Sequence, residues 1–189
     1  MLEGKLFQKD DLLTALLMFD QEAAGVLSDF SIDLDELPPV IITGGSAFIL
    51  MDWLDRKTND IDVLSLPGQL SELLEKYGMN QRVNAYLDCI PFNFEDRLQE
   101  VVIGDTRLRY YVPSLEDLVV MKIYGLREND EKDISSESVL TALDWQRLES
   151  LVYDKDEAPA SALSERRYRE MVENFKRYQE RYCNEGADL

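Results

Sequence analysis

The chain has 189 residues, of which 45% are hydrophobic and 10% aromatic, and this is enough to build one good core with a helical extension. Its net charge is -18, which argues against a general nucleic-acid binder, because affinity for a phosphate backbone comes largely from Lys and Arg. The chain contains no histidine, which excludes histidine-based acid–base catalysis and most zinc sites. Carboxylates, lysine and arginine are left to carry any chemistry.

The compartment is predicted from the cysteines and from the apolar runs. Cys89 and Cys183 lie far apart and do not form the cysteine pattern of a secreted disulfide framework. The first residues have no signal-peptide pattern, and no apolar run approaches the length of a membrane span. We therefore expect a cytoplasmic location and no membrane partner.

Apolar spacing and turn residues predict alternating helices and strands in the first half of the chain. A first helix begins at Asp10 or Asp11 and runs to about Leu27. It is followed by a strand at 40–43, a helix at 46–54, a strand at 61–66 and a helix at 69–77.

The second half is predicted to begin with strands and to end with helices. Strands are expected at 82–90 and 101–111, with Gly104 and Asp105 as a hairpin turn. Pro113 marks a boundary, and the helices beyond it are predicted at 115–127, 137–153 and 164–182. The pattern predicts an α+β fold, with a small mixed sheet flanked by helices and a C-terminal helical subdomain. The domains are residues 1–112, the core with its N-terminal helix, and residues 113–189, packed on that core.

A glycine-rich turn follows the first predicted strand. Gly44, Gly45 and Ser46 lead from that strand into a helix, where outward-pointing N–H groups favour a phosphate. On their own, these three residues are equally typical of a tight turn with Ser46 as the helix N-cap.

Two aspartates flank Ile61 at the start of the next strand. Asp60 and Asp62 are two residues apart, so their side chains point to the same face. Aspartate is a poor strand former, and two carboxylates at close range repel unless a cation lies between them. The pair favours metal ligation over the alternative, a polar face on an exposed edge strand.

A lysine lies in the middle of an apolar stripe on the helix that follows Pro113. Ser114 and Asp117 have the spacing of a capping box, and Lys122 falls among the apolar positions Leu115, Leu118, Val119 and Leu126. Such a lysine either snorkels to solvent or pairs with an anion, and the expected anions are Asp60, Asp62 or Asp133. Lys122→Met is predicted to keep or raise thermal stability while removing activity.

The two motifs together resemble those of the DNA polymerase beta-like nucleotidyltransferase superfamily, and are most similar to bacterial AbiEii-type and related uncharacterised nucleotidyltransferases of toxin–antitoxin systems. The resemblance rests on Gly44-Gly45-Ser46 and on the later run from Arg56 through Thr58 to Asp60 and Asp62. It extends over about residues 40–134, with Pro113, Glu116, Lys122, Arg127 and Lys132-Asp133 matching a later helical motif.

The resemblance implies a nucleotidyltransferase-like core that uses Mg²⁺ to transfer a nucleoside monophosphate from an NTP to an acceptor hydroxyl, in RNA or protein. It implies that Asp60 and Asp62 hold the metal, and that Lys122 and Asp133 act in catalysis. The nucleotide would be bound by Gly44, Gly45, Ser46, Thr58, Lys122 and Arg127. A third metal-binding carboxylate is expected from a neighbouring strand, with Asp88 favoured over Asp96 or Asp133. The resemblance also implies an antitoxin partner.

Two other functions stay open. The large negative charge suits a protein-binding module that has the nucleotidyltransferase fold without its activity. It also suits a small-molecule nucleotidyltransferase of the aminoglycoside-modifying kind, since a cationic acceptor is attracted to an acidic protein.

Overall fold

The computed structural model of the protein describes residues 6–33, 37–64, 66–154, 156–159 and 164–183. The strands are β1 (Val40–Thr43), β2 (Ile61–Leu64), β3 (Met79–Asn80), β4 (Gln99–Glu100) and β5 (Tyr110–Val112). The helices are α1 (Lys9–Asp29), α2 (Gly44–Leu50), α3 (Ser71–Lys76), α4 (Leu115–Gly125), α5 (Glu128–Ile134), α6 (Glu137–Ala142), α7 (Trp145–Tyr153) and α8 (Glu165–Tyr182). Short 3₁₀ helices lie at Gly68–Leu70, Arg82–Cys89 and Phe94–Arg97. The predicted α+β class is confirmed.

The chain divides into two compact units. The first, here called the sheet unit, comprises Met1–Asn84 and Leu98–Val112. The second, the helical unit, comprises Ala85–Arg97 and Pro113–Leu189. The predicted domain division at residue 112 stays a prediction, and each unit is described by itself below.

The sheet unit is built on a five-stranded mixed sheet with the strand order β3-β2-β1-β5-β4. The central strand β1 is buried at every position, as expected for a strand covered on both faces. It pairs antiparallel with β2, which places Thr43 opposite Asp62, and parallel with β5. The end of β1 therefore lies beside the start of β2, where the glycine turn and the aspartate pair occur in the sequence.

Helix α1 supplies much of the apolar core of the sheet unit and packs against α2 and α3. Its buried positions recur at helical spacing, as the sequence predicts. They are Leu12, Ala15, Leu16, Phe19, Ala23, Ala24 and Leu27. The same stripe contains Asp20, which is only 2% exposed.

The buried Asp20 carboxylate organises the connection between β4 and β5. It accepts hydrogen bonds from the backbone N–H groups of Arg107 at 2.9 Å and Leu108 at 2.8 Å, and from the Tyr110 hydroxyl at 3.3 Å. The carboxylate therefore satisfies two backbone donors that enter the sheet just before β5. Burial and the nearby Asp20 charge raise the pKa of Tyr110 far above its usual range, so its hydroxyl stays protonated and can donate.

Replacing Asp20 with Asn is expected to destabilise the protein by about 2 kcal/mol, because hydrogen bonds to a charged acceptor are stronger than those to a neutral one. Urea unfolding of the variant and the wild type measures the difference. Asp10→Asn in the first turn of α1 is the control, since Asp10 is exposed. Equal loss in both variants would contradict a special role for Asp20.

In the helical unit, α4 packs against α5, α7 and α8. The predicted cap of α4 is confirmed, because the Ser114 side chain accepts a hydrogen bond from the Asp117 N–H at 3.1 Å. Asp117 is fully buried and is held by Arg97, whose Nε and Nη2 donate to it at 3.0 and 2.7 Å. This bidentate pair ties the segment ending at Arg97 to the helices that follow Pro113.

The largest difference from the sequence prediction is at 82–90. These residues were expected to form a strand, but Arg82–Cys89 forms 3₁₀-helical turns on either side of a non-helical kink at Tyr86, and the third strand is the short β3 before it. The predicted hairpin is present in outline, because β4 and β5 pair antiparallel and Gly104 lies in their connection with a φ of 124°. The predicted helix at 137–153 is divided into α6 and α7, and α5 was not predicted, since it lies between the helices expected at 115–127 and 137–153. None of the described helices is long and apolar enough to cross a bilayer.

Candidate active site

The site predicted around the glycine turn lies in the sheet unit. Gly44, Gly45, Arg56, Asp60 and Asp62 are here called the glycine-turn cluster. Gly44 has a φ of 63°, which side-chain-bearing residues rarely adopt. A Cβ atom on Gly44 would lie 2.4 Å from Oδ2 of Asp62. Glycine is therefore required at this position both for its backbone conformation and for the close approach of the Asp62 carboxylate.

The second glycine of the turn leaves room for a neighbouring side chain. Its φ is not in the left-handed region, so the backbone alone does not call for glycine. However, a Cβ atom on Gly45 would lie 2.5 Å from Nη2 of Arg56. The Arg56 guanidinium therefore lies against the turn, and its Nη1 donates to the Lys57 carbonyl at 2.8 Å. Gly44 thus leaves room for the Asp62 carboxylate, and Gly45 leaves room for the Arg56 guanidinium.

Asp60 lies immediately before β2 and is half-buried. Its Oδ2 accepts a hydrogen bond of 3.3 Å from Asn80 Nδ2, and the Thr58 hydroxyl donates to its carbonyl oxygen, also at 3.3 Å. Asn80 was not identified from the sequence, and it reaches this position because β3 pairs with β2, with Asn80 opposite Asp62. The Thr58 side chain thus holds the backbone at Asp60. Thr58 was predicted to bind the nucleotide, and that role stays a prediction.

The Ser46 side chain is turned into the protein. Ser46 is 1% exposed, and its hydroxyl donates to the Thr43 carbonyl at 2.9 Å. The alternative interpretation of Ser46 as a helix N-cap is wrong, because α2 begins at Gly44 and Thr43 is the capping residue. Thr43 Oγ1 is buried, and among the described residues it has no hydrogen-bond partner. The hydroxyl of Ser46 therefore stabilises the turn through its hydrogen bond to the Thr43 carbonyl. Its contact with the nucleotide stays a prediction.

The second group of predicted residues lies in the helical unit. Lys122, Arg127, Asp130 and Asp133 are here called the lysine cluster. Lys122 is 9% exposed, and its Nζ donates to Asp133 Oδ2 at 2.8 Å and to Asp130 Oδ1 at 3.0 Å. Arg127 Nε also donates to Asp130 Oδ2, at 2.7 Å. The lysine is thus buried and ion-paired rather than snorkelling, and Asp133 is one of the anions expected for it.

Asp130 was missed, although the sequence contained a signal. Asp130, Asp133 and Ile134 are three and four residues apart on α5, so they share one face of the helix, and all three are buried. Two carboxylates on the buried face of a short helix require a cation nearby. Lys122, on the apolar stripe of α4, is that cation.

The ionisation of Asp130 contributes to stability in a defined pH range. Burial opposes its charge, but the hydrogen bond from Arg127 and the nearby Lys122 charge outweigh this, and the pKa falls below its ordinary value of 3.8. The unfolded chain therefore binds this proton more readily, so the stabilisation is present above about pH 4 and is lost as the pH falls through the lowered pKa. Urea unfolding between pH 5 and pH 3 should show a shallower loss of stability in Asp130→Asn than in the wild type. Parallel curves would contradict this expectation.

A family of nucleotidyltransferases of unknown function (DUF6036) matches residues 14–183 of the chain. The chain belongs to this nucleotidyltransferase family. The match extends across both units and includes every residue of the two clusters. No curated protein and no solved structure matches the chain.

The third carboxylate expected in this nucleotidyltransferase does not lie on a strand. Asp88 is exposed in the 3₁₀ segment Arg82–Cys89, so the strand predicted for it is wrong, and Asp96 is exposed in the 3₁₀ helix Phe94–Arg97. Metal binding by Asp88 stays a prediction. Asp133, the other candidate, pairs with Lys122. Across the described ranges, no group of three or more His, Cys, Asp or Glu side chains could hold a metal ion.

The donor set of the glycine-turn cluster nevertheless fits Mg²⁺. This ion prefers oxygen ligands and is typically bound by one or two carboxylates, with substrate phosphates and water completing its shell. Asp60 and Asp62 offer such a pair beside a turn whose Gly44 leaves room for a carboxylate oxygen. A third protein carboxylate is not needed for that mode of binding.

Proposed function

We propose that the protein transfers a nucleoside monophosphate from an NTP to an acceptor hydroxyl in a reaction that depends on Mg²⁺. The acceptor oxygen attacks the α-phosphorus, the bond from that phosphorus to the pyrophosphate oxygen breaks, and the hydroxyl proton passes to solvent. Asp60 and Asp62 would hold the metal, and the Gly44–Gly45 turn would receive the phosphates.

The observation that carries this proposal is the approach of the Asp62 carboxylate to Gly44. Oδ2 lies so near the turn that a Cβ at Gly44 would be only 2.4 Å away. A carboxylate beside a glycine turn supports the proposal, because binding of a metal–triphosphate complex requires a metal ligand close to a backbone that can receive phosphate. Membership of a nucleotidyltransferase family supports the same interpretation.

When bound, Mg²⁺ would neutralise charge on the phosphates and lower the pKa of the acceptor hydroxyl. The contribution of the chain is to hold the two carboxylates rigidly. Asp62 is fixed on β2 opposite Thr43, and Asp60 is oriented by Asn80 and by the Thr58 hydroxyl. Rigid carboxylates need little reorganisation during the reaction. The roles of Lys122, Arg127 and Asp133 in the reaction stay predictions from the resemblance.

The proposal is tested by incubating the protein with Mg²⁺, each of the four α-labelled NTPs, and RNA, protein or aminoglycoside acceptors. The expected result is transfer of label to one acceptor class with release of pyrophosphate, and loss of transfer when EDTA removes the metal. If no NTP binds to the protein and none is consumed, the proposal is overturned in favour of the non-catalytic protein-binding module.

The resemblance to AbiEii-type proteins supports a more specific proposal, a cytoplasmic bacterial toxin that modifies RNA or protein and is neutralised by an antitoxin. Expression of the wild type in a bacterial host would then arrest growth, and expression of Asp62→Asn would not. Normal growth with both forms would overturn the toxin proposal and leave the transfer reaction standing.

The net charge of -18 favours a second acceptor class, a small cationic molecule such as an aminoglycoside. Attraction between such an acceptor and an acidic protein weakens with salt. In the acceptor assay, transfer to an aminoglycoside at a rate that falls as salt is raised would support this class over RNA.

A further inference from the structure

We infer that Arg56 is a phosphate-binding residue of the glycine-turn cluster and contacts the triphosphate of the nucleotide. This inference rests on the proposed function and adds a residue to it. The observation behind it is the guanidinium against Gly45: the position of a Gly45 Cβ would be 2.5 Å from Nη2, 3.4 Å from Cζ and 3.5 Å from Nη1 of Arg56.

The first argument comes from the second glycine. Gly44 is explained by its φ and by Asp62, but the φ of Gly45 is one that other residues adopt. What Gly45 provides is room for the guanidinium beside the turn. Because Gly45 has no side chain, the planar guanidinium of Arg56 can lie against the backbone segment that is proposed to receive the phosphates.

The second argument is electrostatic. Asp60 and Asp62 give the cluster two negative charges, and a triphosphate adds more. Such a ligand binds beside carboxylates only if cations intervene, and the metal alone leaves the far phosphate oxygens without positive charge near them. A guanidinium at the turn supplies this positive charge. Its N–H groups can form two parallel hydrogen bonds to a pair of phosphate oxygens.

The third argument is accessibility. Arg56 is exposed, so a ligand can reach its side chain from solvent. The hydrogen bond from Nη1 to the Lys57 carbonyl holds the side chain in place over the turn.

The test compares Arg56→Gln and Arg56→Lys with the wild type for binding of Mg²⁺–NTP, Mg²⁺–tripolyphosphate and the NMP, by calorimetry. We expect Arg56→Gln to weaken NTP and tripolyphosphate binding by about ten- to a hundredfold, the loss typical of a charge-assisted hydrogen-bonded pair. Arg56→Lys keeps the charge without the fork and should recover only part of the loss. NMP affinity should change least. Lys57→Gln removes the neighbouring exposed charge and is the matched control.

A double-mutant cycle separates contact with phosphate from a structural role. Gly45→Ala places a methyl group 2.5 Å from the position of Nη2 and should displace the guanidinium without strain in the backbone, so it should reproduce the effect of Arg56→Gln. In the double variant the two effects should not add, because both remove the same interaction. Additive losses would overturn the inference.

The outcomes distinguish this inference from the proposed function. If the wild type binds Mg²⁺–NTP and Arg56→Gln binds it equally well, Arg56 is not a phosphate ligand and the proposed transfer reaction is unaffected. If the wild type binds neither NTP nor tripolyphosphate, both are overturned. Equal weakening by Arg56→Gln and Lys57→Gln would indicate a general charge effect and would also overturn the assignment.

Discussion

Replacing both Asp60 and Asp62 with Asn is expected to reduce nucleotidyl transfer by at least about a thousandfold, the scale of losing a principal electrostatic element of an active site. Asparagine keeps the shape of each side chain but removes the charge that attracts Mg²⁺. The fold should be retained and become slightly more stable without metal, because repulsion between like charges is relieved. The measurements are label transfer, calorimetric binding of Mg²⁺–NTP, and thermal unfolding.

Asp55→Asn is the matched control for this experiment. Asp55 is an exposed aspartate that precedes Arg56 and lies outside the glycine-turn cluster. It changes the net charge by one unit, so a general effect of charge on nucleotide binding would appear in it as well. Binding of Mg²⁺–NTP that is unchanged in the double variant would show that the metal is held elsewhere.

Replacing Lys122 with Met is expected to destabilise the protein by about 3–5 kcal/mol, the usual cost of removing one partner of a buried ion pair. By the apolar stripe alone, methionine would keep or raise stability. The two carboxylates reverse this expectation, because Asp130 and Asp133 are 5% and 4% exposed and would lose the ammonium that both contact. At about 2–4 °C per kcal/mol, the melting temperature should fall by roughly 10 °C.

Lys132→Met provides the control for this variant. Lys132 lies on α5 and pairs with Glu128, but both side chains are largely exposed, so no measurable loss is expected. Adding Asp133→Leu to Lys122→Met should recover part of the lost stability, because one uncompensated buried charge is removed. A melting temperature for Lys122→Met equal to that of the wild type would contradict the paired geometry.

The elements that the sequence predicted best are those with strong local signals. The strand at 40–43 is bounded by Pro39 and Gly44, and the cap at Ser114 follows Pro113, so turn residues mark where each element begins or ends. The segment at 82–90 is marked only at its end, by Pro91. Its apolar residues suited a strand, but Asn84 and Asp88 favour local hydrogen bonds, and the sheet offered pairing to Met79 and Asn80 instead.

The parts of the site that the sequence did not predict depend on contacts between distant segments. Asn80 reaches Asp60 through strand pairing, and Arg56 reaches Gly45 through the path of the intervening connection. Neither Asn80 nor Arg56 belongs to a periodic pattern that would have marked it as part of the site. Asp20 is different: it lies four residues after Leu16 and four before Ala24, on the buried stripe of α1. A charged residue on that stripe was the same signal that identified Lys122.

The segments of the two units alternate along the chain, and this limits how the gene can be recombined. The sheet unit is interrupted by Ala85–Arg97, which belongs to the helical unit, and it is completed only by Leu98–Val112. A single genetic crossover at residue 112 would therefore separate Arg97 from the buried Asp117 that it holds. Neither unit can be exchanged as one contiguous cassette, because three chain connections join the two units along the sequence.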